Sequence, residues 1–319
     1  MRTLVLEAQQ RLSLAEVDDV RAVAGESLVR VDWSGICGTD VHGFVQGEPL
    51  RSMPIVMGHE FTGTIVGTDQ RVVVNPRVVC RVCDHCGSGR TQLCQDAVTL
   101  GVHRPGGFAD LVAVPTGQLV ALPDDLDARL AALTEPLAVG LHGANTLGDH
   151  RHLDGLRVGI IGGGLVGLSM ALVLRSRGAE VHVADLSPER QAQARRHGIE
   201  HVGERLSGDF DATVEAVGHH AARRASLEQL RAGGVTVWIG LDTAPAEVEI
   251  PPLVRGERTI TTSYCYTGAE FEAAVELCRQ FQVDELEIVS LGDGPAVFER
   301  LHGGSAPTSA RTLFAVGER

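Results

Sequence analysis

The chain has 319 residues, 44% of them hydrophobic and 22% charged, a composition of soluble globular proteins and a length suited to two domains. Its formal net charge is −13, from 28 basic and 41 acidic residues, and such a surface repels nucleic-acid phosphates. Every basic residue is Arg, which excludes Schiff-base and lysine general-base chemistry.

The opening stretch, MRTLVLEAQQRLSL, lacks the long apolar core and small-residue cleavage site of a signal peptide. The most apolar run, Val158 to Leu174, is interrupted by glycines and is short for a membrane span. Together these features predict a cytoplasmic protein with reduced thiols and no membrane partner.

Around Cys37 the chain reads GICGTDVHGF, and around His59 it reads MGHEFTG. Cys37, His59 and Glu60 offer a thiolate, an imidazole and a carboxylate. Three protein ligands leave one coordination position open, as a catalytic zinc requires. Asp40 could orient His59 through the other ring nitrogen. Singly, a lone Cys is more often a small core residue and a lone His a structural one. These three gain weight only beside the motifs that follow.

The next segment, CRVCDHCGSGRTQLC, spaces Cys80, Cys83, Cys86 and Cys94 as C-x2-C-x2-C-x7-C. Four thiolates form a closed tetrahedral cage that suits structural zinc and leaves no position for substrate. A redox pair needs two cysteines, and a nucleic-acid zinc ribbon normally has a basic surround that this acidic chain lacks. Further on, Glu135 in LTEPLAVGLHG offers a second carboxylate for the open metal or for its water.

The segment LRVGIIGGGLVGLSMALVLRSRGAEVHVADLSPERQ reads as strand, turn, helix and strand. Val158 to Ile161 is a buried strand. Gly162, Gly164 and Gly167 form GxGxxG, with Leu165 and Val166 opening the helix, which runs to about Arg175. A second strand, Glu180 to Ala184, ends at Asp185. The glycines allow a tight turn, close approach of a pyrophosphate and close helix–strand packing. Asp185 stands where an acid hydrogen-bonds an adenosine ribose and repels a 2′-phosphate, so NAD is favoured over NADP. Arg190 either weakens that preference or contacts the ribose edge. DATVEAVG and GGVTVWIGL read as further parallel strands, and Val217, Gly240 and Leu241 at their carboxyl ends are candidates for lining the cofactor.

Together these motifs resemble the zinc-dependent medium-chain alcohol and polyol dehydrogenases, in order and over nearly the whole chain. GICGTDVH resembles that family's first zinc-ligand motif, GHEFTG its second, and the four-cysteine loop its structural zinc lobe. The His-Glu pair and EPLA are closer to the sorbitol, butanediol and threonine dehydrogenase branch than to the Cys-His-Cys branch. The resemblance implies an α/β chain. A GroES-like β-rich catalytic domain, residues 1–140 and 263–319 with its zinc lobe at about 80–94, is interrupted by a Rossmann domain with a doubly wound parallel sheet, residues 141–262. It also implies NAD, two zinc ions per chain (one catalytic, one structural), a small-molecule alcohol or ketone substrate, and a homodimer or homotetramer.

The chemistry implied is hydride transfer between a secondary alcohol of a polyol, cyclitol or sugar and NAD, with zinc acting on the hydroxyl as a Lewis acid. In the family, positions matching Thr39 and His42 pass the proton outward. Glu135 assists by holding a zinc-bound water or by changing places with Glu60. Phe44, Glu135, Cys265 and Tyr266 are candidates for the substrate wall. Three departures stand out: only TDQ remains between FTGTIVG and RVVVNP, Cys265 replaces an Arg common in sorbitol dehydrogenases, and the C-terminal part is compact. A threonine-type, butanediol-type or simple secondary alcohol remains an alternative substrate. A protein that binds NAD without turnover is the non-enzyme alternative, and a mere binder would need no open metal site.

Overall fold

Alternating apolar and polar residues build the N-terminal part of the chain from strands. In the computed structural model, which describes residues 1–47, 51–241, 245, 247–303 and 311–317, β1 (Arg2–Ala8) turns Leu4 and Leu6 into the core. The chain divides into two units, Met1–Glu135 with Thr267–Arg319, and Pro136–Tyr266. The first change of unit falls five residues before the expected position 140, and the return falls four residues after position 262.

In the first unit, β2 (Glu26–Gly35) is the long strand of the main sheet. Helix α1 (Gly38–Gln46) follows it, and β3 (Glu60–Ile65) pairs back antiparallel on β2, with Gly35 opposite Glu60. That register sets the metal motifs side by side. Cys37 leaves the end of β2 while His59 enters β3, so 22 residues of sequence separation become contact. Asp40 starts α1 by accepting the Cys37 N–H at 3.0 Å, which satisfies a donor that no helical carbonyl can reach. The shortened connection after β3 closes tightly, the Ile65 N–H donating to the Gln70 carbonyl, and antiparallel pairing resumes at Thr64–Arg71.

Helix α2 (Thr134–His150) carries the change of unit. The second unit then alternates strands and helices: β4 (Arg157–Ile161), α3 (Leu165–Ser176), β5 (Glu180–Ala184), β6 (His201–Gly203), β7 (Phe210–Glu215), β8 (Leu230–Trp238) and β9 (Thr259–Thr262). Among the described residues these strands form one parallel sheet in the order β6-β5-β4-β7-β8-β9, the doubly wound arrangement expected. Helix α3 is apolar nearly all round, and it is correspondingly buried from Gly167 to Leu174.

The chain returns to the first unit through α4 (Gly294–His302) and β10 (Arg311–Ala315), which pairs antiparallel with the end of β2. Phe44, Phe61, Phe108, Phe298 and Phe314 meet in this unit's core, where the rings of Phe108 and Phe314 stand edge to face at 4.9 Å. Among the described residues, no helix is long and apolar enough to cross a membrane.

Candidate active site

The ligand atoms of Cys37, His59 and Glu60 lie within 4.8 Å of one another. His59 and Glu60 are buried, and Cys37 is half-buried. Glu60 Oε1 accepts a hydrogen bond from Arg311 Nη2 at 2.8 Å, whereas Oε2 is buried with no hydrogen-bond partner. A Cβ at Gly35 would run into that second oxygen, so the glycine opposite Glu60 makes room for the carboxylate.

Behind the cluster, Asp40 and Arg51 are 0% and 2% exposed. Asp40 Oδ1 lies 3.5 Å from His59 Nδ1 and accepts from Arg51 Nη2 at 3.0 Å. Arg51 also donates to the carbonyls of Thr39 at 3.0 Å and Gly101 at 2.9 Å. Burial opposes a charge on Asp40, yet His59 and Arg51 hold its carboxyl well below the usual range. Burial likewise opposes a charge on His59, but Asp40 and Cys37 carry its pKa well above the ordinary value. Burial pushes Glu60 up against the pull of Arg311. A desolvated carboxylate oxygen without a donor is costly unless a cation takes it. The thiol, the imidazole with Asp40 3.5 Å behind its Nδ1 and this oxygen therefore fit zinc.

Glu135, at the start of α2, is half-buried and lies outside this 4.8 Å cluster, although its charge reaches Arg311. Thr39 is exposed, with its hydroxyl 3.4 Å from His59 Nε2, and His42 is exposed one turn further along α1. Phe44 corrects an expectation. Placed by sequence at the substrate wall, it is 1% exposed and packs 5.5 Å from the Phe298 ring, so it is a core residue. Tyr266 is 2% exposed and presents almost no surface to a substrate, while Cys265 is half-buried with a left-handed φ of 51°.

The sulfur atoms of Cys80, Cys83, Cys86 and Cys94 also lie within 4.8 Å of one another, and all four cysteines are free. Backbone N–H groups point at sulfur: Cys80 N donates to Cys94 Sγ and Cys83 N to Cys80 Sγ, both at 3.4 Å. A backbone hydrogen bond from Cys86 draws the Cys83 thiol down to about 7, while burial and the neighbouring thiols push Cys86 up to about 12. Four free sulfur atoms this close fit a cation that would hold them as thiolates.

In the second unit, Gly162 has a φ of 103°, and a Cβ at Gly167 would overlap the Gly162 carbonyl oxygen. At Gly164, by contrast, a Cβ would meet open space, the side from which a pyrophosphate can approach the first turn of α3 through Leu165 and Val166. Asp185 Oδ2 accepts the Gly163 N–H at 2.7 Å, and Oδ1 accepts the Ser187 N–H at 2.8 Å. Arg190 Nη1 stands 3.6 Å from Asp185 Oδ2. Val217 and Leu241 are exposed, and Gly240 lies against Gly218, where a side chain would collide with the backbone.

Sequence reasoning missed Arg51, Arg311 and Glu215. Glu215 ends β7, fully buried, and its Oε1 accepts the N–H groups of Val217 (2.7 Å) and Gly218 (2.6 Å), shaping the loop at the carboxyl end of the sheet. The available signals were a charge opening the apolar run RTLFAV and an acid closing DATVE. Nothing local marks Arg51.

Two family models match the chain: the alcohol dehydrogenase GroES-like domain at residues 23–124 and the zinc-binding dehydrogenase at residues 166–280. L-galactonate-5-dehydrogenase of Escherichia coli (strain K12) is 33% identical over 288 residues, covering 81% of each chain. L-threonine 3-dehydrogenase of Chelativorans sp. (strain BNC1) is 34% identical over 249 residues, covering 70% of this chain and 71% of that protein. Among solved structures, L-idonate 5-dehydrogenase from Escherichia coli str. K-12 substr. MG1655 superposes with a TM-score of 0.89 at 27% identity, over 98% of this chain and 97% of that one.

Proposed function

The chain belongs to the zinc-binding alcohol dehydrogenase family, an oxidoreductase acting on CH–OH groups, and from that membership we propose that it oxidises a secondary hydroxyl of a polyol or sugar acid with NAD. The observation that carries this reading is the Cys37–His59–Glu60 cluster with its buried, partnerless carboxylate oxygen.

When bound there, zinc supplies Lewis acidity to the substrate hydroxyl. The chain's own residues do the rest. Asp40, fixed by Arg51, faces His59 Nδ1 at 3.5 Å and would orient the ring so that Nε2 is left for the metal. Thr39, 3.4 Å from that nitrogen, and His42, exposed on the next turn, provide groups that accept the hydroxyl proton and pass it to solvent. Glu135 is a second carboxylate for water at this centre. Cys80, Cys83, Cys86 and Cys94 hold the structural zinc. Gly162, Gly164 and Gly167 receive the pyrophosphate, and Asp185 the adenosine ribose, which supports NAD over NADP. The active form is a homodimer or homotetramer.

The substrate class rests on the relatives named for galactonate and idonate, and the threonine dehydrogenase supports a second reading, an amino alcohol. The test is reduced-nicotinamide absorbance with zinc-replete protein against polyols, cyclitols, aldonates, threonine, butanediol and simple alcohols, with NAD and then NADP. Turnover of one polyhydroxylated group with NAD is expected. Turnover of threonine alone would replace that reading with the second, and no turnover, with a zinc content that Cys37→Ser leaves unchanged, would overturn the catalytic centre.

A further inference from the structure

A second cluster of metal-binding side chains lies in the cofactor-binding unit, away from the Gly fingerprint. Strands β4, β5 and β6 are parallel and in register, with Gly159 beside His182 and His182 beside His201. Residues in one cross-strand row share a face about 4.8 Å apart. The imidazoles of His182 and His201 accordingly stack with centroids 4.1 Å apart and planes 8° from parallel. Glu180 lies two residues before His182, hence on the same face of β5, and its Oε1 is 2.6 Å from His182 Nε2. The ligand atoms of Glu180, His182 and His201 all fall within 4.8 Å of one another.

We propose that Glu180, His182 and His201 form a third metal site, taking a borderline divalent transition-metal ion such as zinc. Two imidazoles and one carboxylate are a borderline donor set of the kind such ions prefer. The glycine at position 159 keeps the neighbouring strand bare in this row, and Phe210 fills that space, standing edge-on to His182 at 5.1 Å. The site is walled by Phe210 on one side and open on the other, since Glu180 and His201 are exposed. An ion can therefore enter from solvent and keep water on its remaining positions. Arg157 is the opposing charge, its Nε donating to Glu180 Oε1 at 3.2 Å. It is also held over the Phe210 ring, 4.9 Å from the centroid, and by the Asp209 carbonyl at 3.1 Å. Glu180 can thus turn to the ion without leaving Arg157 unbonded. Nothing in the alcohol chemistry uses these residues. A bound ion would instead tie β6, the short edge strand, to β5, and so stabilise the sheet by mass action.

Equilibrium dialysis of the holoprotein against zinc, read by metal analysis, tests this directly. Wild type should hold about one zinc per chain more than His201→Ala or Glu180→Ala. His152→Ala, which removes an exposed histidine elsewhere, should match wild type. Added zinc should raise the thermal midpoint of wild type but not of His201→Ala. Alcohol oxidation should be equal in the two proteins, and the metal readout stands whether or not that activity is found. Equal zinc in wild type and His201→Ala, or equal loss in His152→Ala, would overturn the site.

Discussion

Asp40 and Arg51 are both sealed from water, so neither charge can be screened if the other is removed. Arg51→Met should lower stability by about 3–5 kcal/mol, the usual effect of leaving a buried charge unpaired, and weaken zinc binding at Cys37–His59–Glu60 by about 10–100-fold through the loosened His59. Urea unfolding and zinc competition would measure the two effects separately. Asp40 was legible because GTDVH puts it beside a candidate ligand, whereas Arg51 was not, since a lone Arg is exposed in most chains and only tertiary packing buries this one. Asp110 allows a pH test away from the candidate metal sites. Burial opposes its charge, but the Arg2 N–H at 2.6 Å and guanidinium at 2.8 Å win, and its carboxyl is held below the usual range. Its contribution is therefore complete above the unfolded value of about 3.9 and is lost as pH falls through the lower folded value. Asp110→Asn should be about 1–2 kcal/mol less stable at neutral pH, with the gap closing below about pH 4 in urea titrations. On the proposed reading Asp185 faces the adenosine ribose, and Asp185→Asn would remove a charge that opposes a 2′-phosphate. The NAD to NADP ratio of kcat/KM should fall by about tenfold, roughly 1.4 kcal/mol, measured by steady-state kinetics.

Elements that are local in sequence were legible, and those assembled across the chain were not. The strand, turn and helix around Gly162, Gly164 and Gly167 lie within one βα unit, so periodicity and glycine spacing locate them to within a residue or two. The pairing of β2 with β3 is different. Cys37 and His59 were recognisable as ligand types, but their meeting depends on the Gly35–Glu60 register, which no local pattern states. Phe44 shows the same limit from the other side. It lies on α1 close to Cys37 in sequence, yet the helix turns it towards Phe298 of α4, more than 250 residues later. The close contact of α3 with the turn before it yields a sharp test. A Cβ at Gly167 has no room beside the Gly162 carbonyl, so Gly167→Ala must displace the helix N-terminus that would carry the pyrophosphate. Overpacking of this kind costs about 1–3 kcal/mol. NAD affinity by fluorescence titration should fall by about tenfold or more, whereas Gly164→Ala, with open space at its Cβ, should fold as wild type does.

At the scale of the whole molecule, the two units differ in how the chain builds them. The first needs both ends of the sequence, because β10 pairs with β2 and Arg311 on β10 bonds the Glu60 carboxylate of β3 across 251 residues. The second is one continuous stretch, Pro136–Tyr266, holding every strand of its parallel sheet. The order of the motifs, with Cys37 and His59 before the Gly fingerprint and a short segment after it, parallels this nesting, and the units divide after Glu135 and after Tyr266. Glu135 and Pro136 lie inside the single helix α2, and no break in composition marks a change of unit within a continuous helix. The asymmetry has a consequence for autonomy. A fragment of residues 134–266 keeps the complete sheet, α3 and the whole of α2, so it should fold alone, unfold in one cooperative urea transition and bind NAD. The complementary fragment 1–135 lacks β10 and the Arg311 partner of Glu60, and should not form a stable sheet without residues 267–319. Circular dichroism melts of both fragments, with NAD titration of the first, would decide the point. A cooperative melt from 1–135 alone would mean that the C-terminal return decorates the first unit instead of completing it.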